Sequence, residues 1–122
     1  MNKPEMCLRN IEQFSNQQIL DFVMPKLLSQ GCKSKKPDEK VHCAYRGANG
    51  TKCAIGFIMS DEEYNVKCEG WSVNKVLNYL NIPTLIKCSF LKALQYVHDD
   101  NKVEDWPEAF KNLAAKYNLT IN

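Results

Sequence analysis

The chain has 122 residues, 44% of them hydrophobic, which suits one domain built around one continuous core. Lysine and arginine total 16 against 14 acids, for a formal charge of +2, and only Arg9 and Arg46 are arginines. That near-balance argues against a dedicated duplex binder, which concentrates basic residues on one face, so nucleic acid is not an expected partner.

No stretch of 18 consecutive apolar residues occurs, and the opening MNKPEMCLRNIEQ holds no apolar run of secretory length. A membrane partner is therefore not expected, and a cytoplasmic location is. Cys7, Cys32, Cys43, Cys53, Cys68 and Cys88 are irregularly spaced without a C-x-x-C pair, so they read as buried free thiols.

In chain order, Ser15 and Gln18 predict a capping box, followed by Ile19, Phe22, Val23 and Leu27 at helical spacing until Gly31. Pro25 lies inside this helix, where it removes a bond to the carbonyl of Asp21 and predicts a kink or break. Residues 33–40 carry four lysines and no apolar side chain, and predict a solvated basic loop able to steer an acidic partner. Val41, Cys43 and Tyr45 alternate with polar positions ahead of Gly47-Ala-Asn-Gly50, which predicts a strand and a tight turn. The apolar run from Lys52 to Met59 fits either a buried strand or a buried helix, and Ala54 and Gly56 suggest close backbone packing in both cases.

Ser60-Asp-Glu-Glu63 predicts a second capping box and a short turn. Ser72 opens a helix striped by Val73, Val76, Leu77 and Leu80, which Asn81 and Pro83 close. Phe90, Leu91, Leu94 and Val97 stripe the next helix up to Asp99-Asp100. Asp105-Trp-Pro-Glu108 starts the last, with Phe110, Leu113, Ala114 and Tyr117 inward. The expected fold is α+β and predominantly helical: about four main helices and a small β-hairpin-like element in a single domain, with residues 1–10 and 118–122 as tails.

Three constellations could carry chemistry. His42, Cys43 and Cys53, with Cys32 or Cys68, could meet around a metal, but their spacing fits no zinc ribbon or finger, and no metal or other cofactor is assigned. Cys43 or Cys53 with His98, oriented by Asp99, could form a nucleophile and base, yet a helix-end histidine more often serves structure, and no enzyme is expected. Tyr45, Arg46 and Lys52 on the hairpin, with Glu62, Glu63 and Trp71 nearby in sequence, could hold a small anionic, nucleotide-like ligand. The plainer reading is an ion pair between Arg46 and an acid of the 61–63 run. Trp71 and Trp106 sit at helix entrances, where they could anchor a protein interface or staple the chain to the core.

Cys43-Ala-Tyr-Arg-Gly47, Gly50-Thr-Lys-Cys-Ala-Ile-Gly56, Asp61-Glu-Glu-Tyr64 and Glu69-Gly70, continued by Leu94-Gln95, His98-Asp99 and Trp106, form a pattern that covers most of the chain. It resembles a family of small uncharacterised proteins encoded by tailed phages and prophages. The resemblance implies a source, and by analogy an accessory protein that binds and inhibits a host factor such as a component of antiviral defence, in the host cytosol. It implies no catalytic residue.

Overall fold

The computed structural model describes residues 5–36, 43–83 and 85–121, and shows a helical domain. Five α-helices occur among these residues: α1 (Asn16–Gln30), α2 (Ala54–Ile58), α3 (Val73–Tyr79), α4 (Leu85–Asp100) and α5 (Trp106–Lys116). Helix α1 opens on a capping box in which the Ser15 hydroxyl accepts from Gln18 N and the Gln18 side chain accepts from Ser15 N. It ends at Gly31, whose φ of 66° places it in the left-handed region. Helix α1 is not broken at Pro25 but runs through it, because Ile19, Leu20, Val23 and Leu27 are buried on both sides of the ring and hold the two halves on one core.

The α+β expectation is overturned. No strand occurs among the described residues, and the only ladder contact there is an isolated antiparallel bridge between Arg46 and Lys52. The tight turn does form, with Asn49 at φ 60° and Gly50 at φ 75°. No hairpin grows from it, because the amides that would feed a ladder go elsewhere. Ala44 N donates to the carbonyl of Ser34, while Tyr45 N and Arg46 N donate to the carboxylate of Glu69. After the turn the chain winds directly into α2, capped by the Cys53 sulfur, which accepts from Gly56 N. Lys52 to Met59 is therefore a helix start, not a strand. Val41 and His42 of the expected strand lie outside the described residues.

Gly56 packs directly on the carbonyl of Tyr45, so the close backbone approach suggested by Ala54 and Gly56 occurs at the glycine. Ser60 and Glu63 cap one another reciprocally, but this box closes one turn, and the next helix starts only at Val73. There the Ser72 hydroxyl accepts from Lys75 N, and Val73, Val76, Leu77 and Leu80 are buried. Phe90, Leu91, Leu94 and Val97 of α4 and Phe110, Leu113 and Ala114 of α5 complete one core with α1, α2 and α3.

Three segments read as peripheral are docked instead. Leu8, in the expected N-terminal tail, is fully buried, and its amide donates to Glu63. Thr120, in the expected C-terminal tail, exchanges hydrogen bonds with the Gln17 side chain at 2.9 Å. In the expected basic loop, Ser34 is fully buried and Lys33 donates to the carbonyl of Asp99, while residues 37–40 lie outside the described residues. No helix among the described residues is long and apolar enough to cross a membrane.

Candidate functional site

Residues 43–46 lie between two polar clusters, one at the end of α4 and one around Glu69. Tyr45, Arg46, His98 and Asp99 fall in these clusters, whereas His42 lies outside the described residues.

At the end of α4, Cys43, His98 and Asp99 bring one sulfur, one ring nitrogen and one carboxylate oxygen within 4.8 Å of one another. His98 is fully buried and stacks on the Trp106 ring. Ser34 N lies 3.1 Å from His98 Nε2, and a backbone amide can only donate. Nε2 is therefore the bare nitrogen, and the proton sits on Nδ1, which donates to Asp99 Oδ1 at 2.7 Å. Asp99 also accepts from Gln95 Nε2, and the Gln95 oxygen accepts from Ile55 N at 3.1 Å. Gln95 thus links α4 to the start of α2.

This geometry decides against both reactive readings. The Cys43 thiol is pushed up to about 11, first by burial and then by the Asp99 carboxylate beside it, so it keeps its proton at neutral pH. Cys53 is pushed up to about 12, chiefly by complete burial. A base for the thiol would need a bare imidazole nitrogen facing it, but Nε2 is engaged by Ser34 and Nδ1 already holds a proton. A divalent metal on Nδ1 would force the ring proton onto Nε2, where it would meet the Ser34 amide donor to donor. The donor types suit a metal, but the second nitrogen does not.

A thiol raised to about 11 holds about a hundredfold less thiolate than an ordinary one, so native Cys43 should react with iodoacetamide at pH 8 about a hundredfold more slowly than in the urea-unfolded chain. Its native rate should rise about tenfold per pH unit until about pH 11. Peptide-resolved mass spectrometry reads both, and equal labelling of native and unfolded Cys43 would refute the assignment.

The second cluster centres on Glu69. Its Oε1 accepts from Tyr45 N at 2.8 Å, and its Oε2 accepts from Arg46 N at 3.2 Å and from the Tyr64 hydroxyl at 2.5 Å. Lys36 Nζ stands 3.9 Å away. Tyr64 is held protonated well above the usual phenol range, first by burial and then by the hydrogen bond to Glu69. Tyr45 is buried, its hydroxyl donates to the carbonyl of Trp71, and burial raises its phenol as well.

Arg46 makes an ion pair with Asp61 at 2.7 Å, donates to the carbonyl of Met59 at 3.3 Å and lies over the Tyr64 ring. Its guanidinium ties the mid-chain turn to the 59–64 segment. Arg46 and Lys52 do line a common cleft of about 550 Å³, together with Arg9 and the exposed Glu62. Four carboxylates (Glu5, Asp61, Glu62 and Glu63) share that lining with the three cations, a balance that opposes an anionic ligand. Glu63 faces backbone amides: its carboxylate accepts from Leu8 N, Arg9 N and Ser60 N.

Of the two tryptophans, Trp106 is not an exposed anchor but fully buried beneath His98. Trp71 is half-buried, meets the Tyr79 ring edge-on at 5.3 Å and carries Lys75 over its face at 4.6 Å. With Tyr79 48% exposed, this is an aromatic surface. Sequence reasoning named Trp71 but missed Tyr79, which lies off the buried stripe of α3, and Glu69, whose role depends on contacts 23 and 24 residues back along the chain. In comparison with known proteins, the chain matches no protein-family model, no curated protein and no solved structure.

Proposed function

We propose that this chain is a non-catalytic binding protein of the small phage accessory type, which engages a host protein and blocks it, and that Trp71, Lys75 and Tyr79 form the contact surface. The observation that carries this reading is the aromatic pair of Trp71 and Tyr79, with a cation stacked on it, at the surface of a chain whose reactive polar groups face one another. Tryptophan and tyrosine dominate binding energy at interfaces because they bury large rigid area at small entropic cost. The phage character and the antiviral-defence target rest on the sequence pattern around Cys43–Gly56 and on analogy with small phage proteins. A binder acting in the host cytosol fits this reading.

Affinity capture from host lysate tests it, using the parent chain beside Tyr79→Ala and Lys75→Glu, two exposed positions where replacement should leave the fold intact. The parent should retain one stoichiometric protein, and either replacement should weaken retention about tenfold. Replicate capture of nothing by the parent would sink the proposal. Equal retention by all three would move the contact away from this surface.

A further inference from the structure

A groove of about 690 Å³ runs between α4 and α5. None of the groove-lining residues belongs to the Trp71–Tyr79 surface, so a role for the groove lies beyond the proposed function. Val97 and Leu113 contribute buried apolar area, Ala93 and Ala109 keep the centre shallow, and Tyr96 stands in it 62% exposed. An aromatic side chain this exposed beside small residues is shaped for a partner surface.

The charges along the groove are sorted by end. Consecutive helices joined by a short connection run antiparallel here, as the Phe90 and Tyr117 rings in contact at 4.9 Å show. Lys92 and Lys116 therefore share the end near those rings, and Asp105 and Glu108 share the end at the α4–α5 connection. Along α5, Glu108 and Lys116 are separated by about 12 Å of helix rise, with Asn112 midway. A strip that is positive at one end, negative at the other and uncharged in the middle is its own complement after a half-turn.

We propose that the occupant of this groove is a second copy of this chain, related by a twofold axis near Asn112. Glu108 of each copy then faces Lys116 of the other, the Tyr96 rings pack near the centre, and the small residues allow the helices to approach. The isologous symmetry accounts for both charge ends with one contact counted twice.

Sedimentation equilibrium and native mass spectrometry of the full chain, at concentrations up to about 100 μM, read the dimer directly. Lys116→Glu and Glu108→Lys, both at exposed positions, should each weaken self-association about tenfold or more, because each places like charges at both ends of the interface. Mixing the two variants should restore a dimer, now heteromeric, since every 108–116 contact is again of opposite sign. Tyr96→Ala should weaken the parent dimer without changing the response to charge reversal. A parent chain that stays monomeric at the highest concentration overturns the proposal, and so does a dimer indifferent to both reversals. A mixture no tighter than the separate variants overturns it as well. Circular dichroism confirms that each variant is folded.

Discussion

Gly56→Ala should destabilise the domain by about 3 kcal/mol or more, a large part of the stability of a chain this size, and leave little folded protein at 37 °C. A β-carbon at this position would lie far inside contact distance of the Tyr45 carbonyl oxygen and 3.0 Å from its carbon. The obstacle is backbone, so no rotamer change relieves it. Nor can residue 45 retreat, because its amide is held by Glu69 and its hydroxyl by the carbonyl of Trp71. Gly70→Ala is the matched control. Gly70 has open space around its missing β-carbon and a φ of 84°, so alanine there carries only the left-handed backbone cost of about 1 kcal/mol. Chemical denaturation of both variants separates the two costs, and similar midpoints would show that α2 and residue 45 are not locked together.

Glu63→Gln should cost about 2–4 kcal/mol, although it changes one atom and barely alters volume. The carboxylate is 3% exposed and receives three backbone donors: Leu8 N and Ser60 N on Oε1, at 3.0 Å each, and Arg9 N on Oε2 at 2.8 Å. A carboxylate accepts through both oxygens, whereas an amide must turn an N–H toward at least one of these donors. Whichever way the glutamine is oriented, a buried or part-buried backbone amide loses its partner and the segment at Leu8 and Arg9 loosens. Neighbouring Glu62 is exposed, and Glu62→Gln should stay within about 0.5 kcal/mol of the parent. Equal stability of the two variants would mean that Glu63 is not the clasp of the N-terminal segment.

The helices were legible because their signals are local. Ser15 with Gln18, Ser72, and the stripes through Val73–Leu80 and Phe90–Val97 each announce a cap or a buried face within a few residues. The middle of the chain misled for the opposite reason. The alternation at Val41, Cys43 and Tyr45 and the Asn-Gly pair are local hairpin signals, but the amides of 44–46 were taken by Ser34 and Glu69, partners that no local window contains. The same holds for the candidate site. His98 and Asp99 could be named as a pair on one helix, but which ring nitrogen carries the proton depends on Ser34, 64 residues earlier. Tyr96 was readable in principle, since it falls beside the Leu94 and Val97 stripe on a position a buried face would not need. Trp106 shows the limit of the reverse inference: a tryptophan at a helix entrance looks the same in sequence whether it faces solvent or lies under an imidazole.

The Ser34–His98 bond also bears on how the protein is made. During synthesis the first third of the chain leaves the ribosome before the ring that holds Ser34 has been translated, and Leu8 waits in the same way for Glu63, 55 residues on. The clamp between Gln17 and Thr120 spans 103 residues and closes later than either of these. A protein whose regular elements among the described residues are all helices would ordinarily fold fast from neighbouring contacts, but here the links at Ser34, Leu8 and Thr120 join distant stretches, and that slows the search. These links therefore cannot close on the nascent chain until their distant partners have been translated.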